Sequence, residues 1–433
     1  SYRRDGSSRF ASQYRWGTFP SFSAGWVVSE EKFMKNANID WLSFLKLRTS
    51  WGMLGNERIG DNYFPYMALM TFNNALFYKD GAVVSEKTAA QRNLAVEDIT
   101  WETTTSTDIG VDLGFLNNRL RVTADYYWKK TKDMLLSIEI PYSMGYANPK
   151  NNAGKMSTTG FDLEISWNDR INDFSYGISA NLSDFKSKID YLRNSDIISD
   201  GKVKRAGVLF NEWYGYVCEG IYQTQEEVDN SATLNNQITV GDLKYKDISG
   251  PDGVPDGKIS ADYDRVPLGN SLPRFQYGGN IHAGYKGIDL SVAFQGIGKQ
   301  NAYLTKEMVQ PLRDNYGNIP SIVDGNYWSP FNTAEENAKA KYPRLSQVNR
   351  DSNYATSSFW LFNGAYFRLK NVTLGYTLPS VWTQKAGIKK VRLYVSASDL
   401  FCISNYPEGW DPEMGVSSYP ITTSLLFGLS VNF

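Results

Sequence analysis

The densest run of potential metal-ligating chemistry lies at 247–264, where Asp247, Ser249, Asp252, Asp256, Asp262 and Asp264 fall within 18 positions. Calcium takes about six to eight oxygens, which closely spaced aspartates and loop carbonyls can supply, with a glycine such as Gly253 for the sharp turn. The spacing approaches D-x-[DN]-x-D-G, but Pro251 is inserted and no glutamate stands at the twelfth position. Asp247, Asp252, Asp256 and Asp264 are the expected ligands of a structural Ca2+ that pins an extracellular loop. The competing expectation is an acidic, solvated turn.

Other chemistry is sparse. His282 is the single histidine, so no HExxH motif exists and any Ser-His-Asp arrangement would have to use it. Gly296 and Gly298, followed by Lys299, Gln300 and Asn301, do not make a phosphate-cradling loop. No enzymatic activity is expected. Sugar binding favours aromatic platforms, and Trp213, Tyr214, Tyr216, Tyr327, Trp328, Tyr354 and Trp410 are the candidates in long polar stretches. Cys218 and Cys402 fit neither a CxxC motif nor a disulfide framework, which leaves two incidental thiols or one optional bridge.

The elements that would position these residues are strands. Leu120, Val122, Ala124, Tyr126 and Trp128 alternate with Arg121, Thr123, Asp125, Tyr127 and Lys129, the period-2 pattern of a strand with one apolar and one polar face. The pattern recurs at Trp16–Val28, Trp41–Leu54, 109–113, 161–168, 175–183, 275–285, 288–294, Phe359–Leu378, 391–397 and Ile421–Phe433. Between Leu369 and Val372 the apolar parity shifts, which suggests a β-bulge. Asn117-Asn118, 169–173 and Lys286-Gly287 are short turns.

No run approaches the ~18 apolar residues of a spanning helix. A transmembrane β-barrel carries its signal in alternation instead. Forty-five basic against 46 acidic residues leave a net charge of −1, without the basic stripe of a nucleic-acid binder. Strands of about ten residues suit a tilted bilayer crossing. Connections alternate between short ones and long loops near 55–100, 188–270, 299–358 and 401–421, the asymmetry of short periplasmic turns and longer extracellular loops. Trp128 and Trp167 are expected in the aromatic girdles. The expected class is all-β, a transmembrane antiparallel β-barrel in the bacterial outer membrane.

Four stretches resemble the SusC/RagA-like TonB-dependent transporters: Arg4–Trp26 (RDGSSRF…WGTFPSFSAGW), Tyr245–Gly269 (YKDISGPDGVPDGKISADYDRVPLG), Ser358–Pro379 (SFWLFNGAYFRLKNVTLGYTLP), and Trp410–Glu413 with the terminal strand. The resemblance implies a Gram-negative outer-membrane importer with a plugged barrel of about 22 strands, driven through TonB. It further implies a SusD-like surface lipoprotein as partner and oligosaccharide, or sometimes peptide, as cargo. The alternation supplies roughly 12 strands, about ten fewer than such a barrel, and no plug or TonB-contacting segment. Residues 1–433 are therefore expected to be the C-terminal barrel portion, completed by an N-terminal part with the plug. Unpaired sheet edges are not tolerated in lipid. On this reading one edge of Ile421–Phe433 pairs with the strand near 390–400, and its other edge needs a partner outside this chain. Two alternatives stand beside it: a passive porin of 12–14 strands, and a soluble β-rich carbohydrate-binding protein.

Overall fold

The computed structural model describes residues 1–433 except 38, 61–62, 194–195, 314–316, 349 and 415–417. Twelve strands form one sheet in which each is hydrogen-bonded to the next in the chain. They are β1 (Tyr2–Gly6), β2 (Trp16–Val27), β3 (Leu42–Asn56), β4 (Glu102–Phe115), β5 (Leu120–Ser137), β6 (Lys150–Ile171), β7 (Phe174–Leu192), β8 (Arg274–Tyr285), β9 (Ile288–Lys299), β10 (Tyr366–Thr377), β11 (Lys390–Ser404) and β12 (Ser424–Asn432). Every pair is antiparallel, so the sheet is an up-and-down meander with β1 and β12 at its edges.

Register explains why the alternation reads so clearly. Phe115, Leu120, Trp167, Ile178, Ile281, Val292, Val372, Ala397 and Leu425 are successive cross-strand partners, one apolar row across nine strands. Trp26, Leu47, Val111, Ala124, Leu163, Leu182 and Tyr277 make a second such row. These rows are not a soluble core: Trp26, Leu47, Ile178, Ile281 and Leu425 are exposed, and on the same face Phe427 is 77% exposed. A contiguous apolar face of this extent fits lipid and not water, which overturns the soluble reading. At the short-turn end Trp26, Phe33, Trp41, Phe174, Tyr285, Trp382 and Phe433 are exposed, a belt of rings where an interface would lie. Trp167 stands near this end, whereas Trp128 lies mid-strand because β5 continues to Ser137.

The turns follow local chemistry. Lys286 and Gly287 take positive φ in the two-residue turn between β8 and β9, and Asn117 and Asn118 do so between β4 and β5. The β6–β7 turn is tighter than its sequence suggests, because β6 continues to Ile171 and pairs it with Phe174. The expected bulge is present: register slips between Leu369 and Asn371 against β11, and opposite Ala293 and Phe294 on β9. The terminal strand pairs with β11 from Lys390↔Asn432 to Ser398↔Ser424.

Two expectations of irregular loops are corrected. Residues 55–100 contain a hairpin, Met70–Lys79 paired with Ala82–Gln91. Residues 188–270 and 299–358 build small sheets around the largest buried core. One has four strands (Ile197–Ser199, Lys202–Lys204, Glu212–Tyr216, Arg265–Asn270); the others pair Cys218–Ile221 with Leu243–Tyr245 and Asn301–Tyr303 with Leu361–Asn363. Tyr216, Leu243, Tyr245, Ile259, Met308, Val309, Val323, Tyr342, Tyr354 and Trp360 form that core. The wall strands also outrun a bilayer crossing: β6 has 22 residues and β7 has 19, where about 9–11 suffice. Their extra length supports this loop assembly.

Candidate functional site

The polar face of the wall is charged and hydrogen-bonded. Arg48 on β3 reaches Asp112 at 3.2 Å and Asp125 at 2.7 Å, joining three strands. Asp125 Oδ1 is shielded without a hydrogen-bond partner. Asp125 stands opposite Asp162, a like-charge pair across β5 and β6. Further along, Asn371 donates to Ser396 and Ser398, while Thr373 and Ser396 share a hydrogen bond. His282 sits on this face opposite Gly177. The arrangement is a polar, ion-paired wall.

Above it, Arg368 is the centre of a buried ion network that sequence reasoning missed. Its side chain is 3% exposed; Nη2 meets Asp411 at 2.5 Å, Nε meets Glu413 at 2.7 Å, and Nη1 meets Asp399 at 3.7 Å. Lys370 adds Asp399 at 2.7 Å and Glu413 at 3.6 Å. Lys370, two residues on, shares the face of Arg368 by strand alternation, and the bulge adds Asn371 to that face. Asp411 and Glu413 come from the segment after β11, so the network ties that segment to the wall. Both halves lie in the quoted stretches, Arg368 and Lys370 in Ser358–Pro379 and the acids in Trp410–Glu413. The signal was therefore two charge-complementary motifs, with nothing local to say that they meet.

The expected aromatic platforms are packed instead of displayed. Trp213 stacks on Tyr303 at 4.8 Å and donates its indole N–H to Asn301 O at 2.7 Å. Tyr214 is buried, its hydroxyl accepting from Arg205 at 2.9 Å. Tyr327 packs on the loop core. Trp328 covers Gly241, where a Cβ would lie 2.4 Å from the ring. Trp410 packs on the same core and borders a 370 Å³ cleft with Met308, Ile319 and Glu408. Tyr216 and Tyr354 are core residues outright. The structure thus brings Tyr216, Tyr327, Tyr354 and Trp410 onto one core, where rings serve cohesion.

The four expected calcium ligands do not assemble. Asp264 is fully buried; Oδ1 accepts from the amides of Ile248 and Ser249, and Oδ2 from Ser260, at 2.7–3.2 Å. Asp247 accepts from Gly257 N at 2.7 Å and Asp256 from Lys258 N at 3.0 Å, while Asp252 is exposed. Among the described residues no group of three or more His, Cys, Asp or Glu is placed to hold a metal ion. Asp247, Asp256 and Asp264 each close on an amide of their own loop, while Asp247 Oδ1 is buried without a hydrogen-bond partner.

Cys218 and Cys402 are both free. Burial pushes the Cys218 thiol up to about 11. The thiolate is the nucleophile, so alkylation of Cys218 should be slow at pH 8 and rise steeply toward pH 11. Mass spectrometry after iodoacetamide treatment checks this; rapid labelling at pH 7 would contradict the buried position.

A protein-family model described as TonB dependent receptor-like, beta-barrel matches residues 1–400. TonB-dependent receptor P3 of Formosa agariphila is 30% identical over 100% of this chain and 43% of its own length. TonB-dependent receptor SusC of Bacteroides thetaiotaomicron is also 30% identical, over 100% of this chain and 41% of its own length. Among solved structures, that of the RagAB peptide transporter superposes with a TM-score of 0.79 at 25% identity, over 100% of this chain and 45% of that one. The chain spans less than half the length of these relatives.

Proposed function

This chain belongs to the TonB-dependent receptor β-barrel family, and from that premise we propose that it forms the wall and outer loop assembly of an active nutrient importer. It is an outer-membrane protein. The observation that carries the proposal is the segregation of the meander: one face presents continuous apolar rows, the other an ion-paired hydrated wall, and the long connections fold into a cored assembly at one end. A simple pore needs the first two features; a folded loop assembly tied to the wall through Arg368 suits a gated importer.

We assign residues 1–433 to the C-terminal part of the barrel. The free edges of β1 and β12 cannot face lipid unpaired, so further strands of the same barrel would close it. A plug in that part would couple to TonB. A SusD-like lipoprotein would cover the loop end. The cargo is a large nutrient, oligosaccharide or peptide; the resemblance to the RagAB peptide transporter supports the peptide arm.

Uptake by cells carrying the complete transporter tests this. Labelled oligosaccharide and peptide mixtures are supplied in parallel, with and without TonB and with a protonophore. Uptake of one class that needs TonB and the proton gradient is expected. Uptake that survives both losses would sink active import and favour the passive pore of 12–14 strands.

A further inference from the structure

The periplasmic rim is charged unevenly. Around β2–β7 two cations have acidic partners: Lys35 meets Glu30 at 2.7 Å and Arg119 meets Asp169 at 3.2 Å. Around β8–β11 Arg392 pairs with Asp289, but three lysines of the connections have no such partner among the described residues. The β8–β9 turn carries Lys286, and the β10–β11 connection, PSVWTQKAGIK from Pro379 to Lys389, carries Lys385 and Lys389 and no acid. All three lysines are exposed, and none makes an ion pair among the described residues. The two connections adjoin, since Thr377 N donates to Gly287 O at 2.7 Å.

Directly beside this rim the apolar face is grooved. Ile288, Leu374, Tyr376, Leu393, Val395 and Phe427 line a depression of about 650 Å³, floored by backbone at Gly375 and Gly428. Lys389 shares the parity of Val391, Leu393 and Val395 along the strand, so it leads the same face at its rim. Trp382 and Val381, in the short helix Ser380–Thr383 of the same connection, are 65% and 68% exposed. An apolar trough, an exposed tryptophan and unpaired lysines in that order match the layers of one leaflet: acyl chain, interface and headgroup.

We propose that this rim is a binding site for an anionic phospholipid of the inner leaflet, with an acyl chain in the groove and the phosphate at Lys286, Lys385 and Lys389. Charge complementarity selects the occupant. Three unopposed cations at a membrane surface favour an anionic headgroup over a zwitterionic one, by roughly fivefold for each lysine that engages. The short connections must face the periplasm for this assignment, as the loop asymmetry requires.

Native mass spectrometry of the complete transporter in detergent micelles tests it, with phosphatidylglycerol and phosphatidylethanolamine as competing probes. The wild type should retain phosphatidylglycerol at least about fivefold better. The triple variant Lys286→Gln, Lys385→Gln, Lys389→Gln should bring the two lipids to parity without lowering phosphatidylethanolamine retention. Lys35→Gln with Arg119→Gln, on the acid-matched part of the rim, should leave the preference intact. Val395→Trp fills the groove and should reduce retention of both lipids. Equal retention by the wild type, or a preference that survives the triple variant, overturns the proposal. Because these readouts need no cargo and no TonB, their failure is distinguishable from failure of the import reading.

Discussion

Replacing Arg368 with methionine is expected to release the segment after β11 from the wall, at a cost of about 3–5 kcal/mol to local stability. The side chain is nearly sealed, and it faces Asp399, Asp411 and Glu413 at once. Methionine fills much of the volume but leaves three carboxylates to Lys370 alone. Breaking a buried pair from one side strands charge in a poor dielectric, which is why the loss exceeds the net worth of the pair. Arg368→Lys should recover little, because a point-like ammonium cannot hold the hydrogen bond to Asp411 and at the same time reach Glu413 and Asp399 as the broad, planar guanidinium does. Asp411→Asn should cost less, since Arg368 keeps Glu413 and Asp399. Hydrogen exchange of amides 405–414 reads the effect: protection should collapse in the methionine and lysine variants while β5–β7 stay protected. Unchanged protection in Arg368→Met would show that the network does not hold this segment.

Truncating Trp360 to alanine should be equally severe for a different part of the molecule. Trp360 is 1% exposed, stacks on Tyr354 at 5.0 Å, meets Phe359 edge-on at 4.8 Å and donates its indole N–H to Asn353 O at 3.0 Å. The core it fills joins residues from both long connections, Tyr216 to Ile259 and Met308 to Trp360. Removing a buried tryptophan costs about 3–5 kcal/mol through lost burial and an unfilled cavity. That cost falls on a small unit, so the loop assembly should open while the wall persists. Limited proteolysis should then cut within 223–262, and the β-sheet circular dichroism signal should stay at the wild-type level. A protease-resistant variant would mean that the wall, and not this core, holds the loops in place.

Neither residue stood out in the sequence, and the reason is the same for both. Arg368 sits in a strand where a charged residue on the polar face is ordinary. Its partners lie about 40 positions on, so no local spacing marks them. Trp360 reads as one aromatic among many in Ser358–Pro379. The aromatic residues of the long loops show the converse. Tyr216, Tyr327, Tyr354 and Trp410 lie in polar stretches with glycines and turns, which look like exposed loop; only the tertiary packing reveals a core there. The acidic run is a similar case. Its oxygens were countable, but whether they meet a cation or their own amides depends on loop closure, and Asp264 closes on Ile248, Ser249 and Ser260.

What the chain determined by itself was the wall. Period-2 alternation is a local consequence of strand geometry, and a lipid-facing strand must keep it along its whole crossing, so β2 through β12 could be read one at a time with their short turns and the bulge near Lys370. The membrane-barrel class was legible for the same reason, since lipid penalises any break in that pattern; the family was legible only through the resemblance of four stretches, two of them in loops. Tertiary structure alone decided what stands above the wall. There the contacts run between segments far apart in sequence, Asp242 with Arg344 and Asn353, Arg368 with Asp411, and Tyr245 with Ser352. Such pairings leave no periodic trace, because each is set by closing a long loop and not by the repeat of a strand.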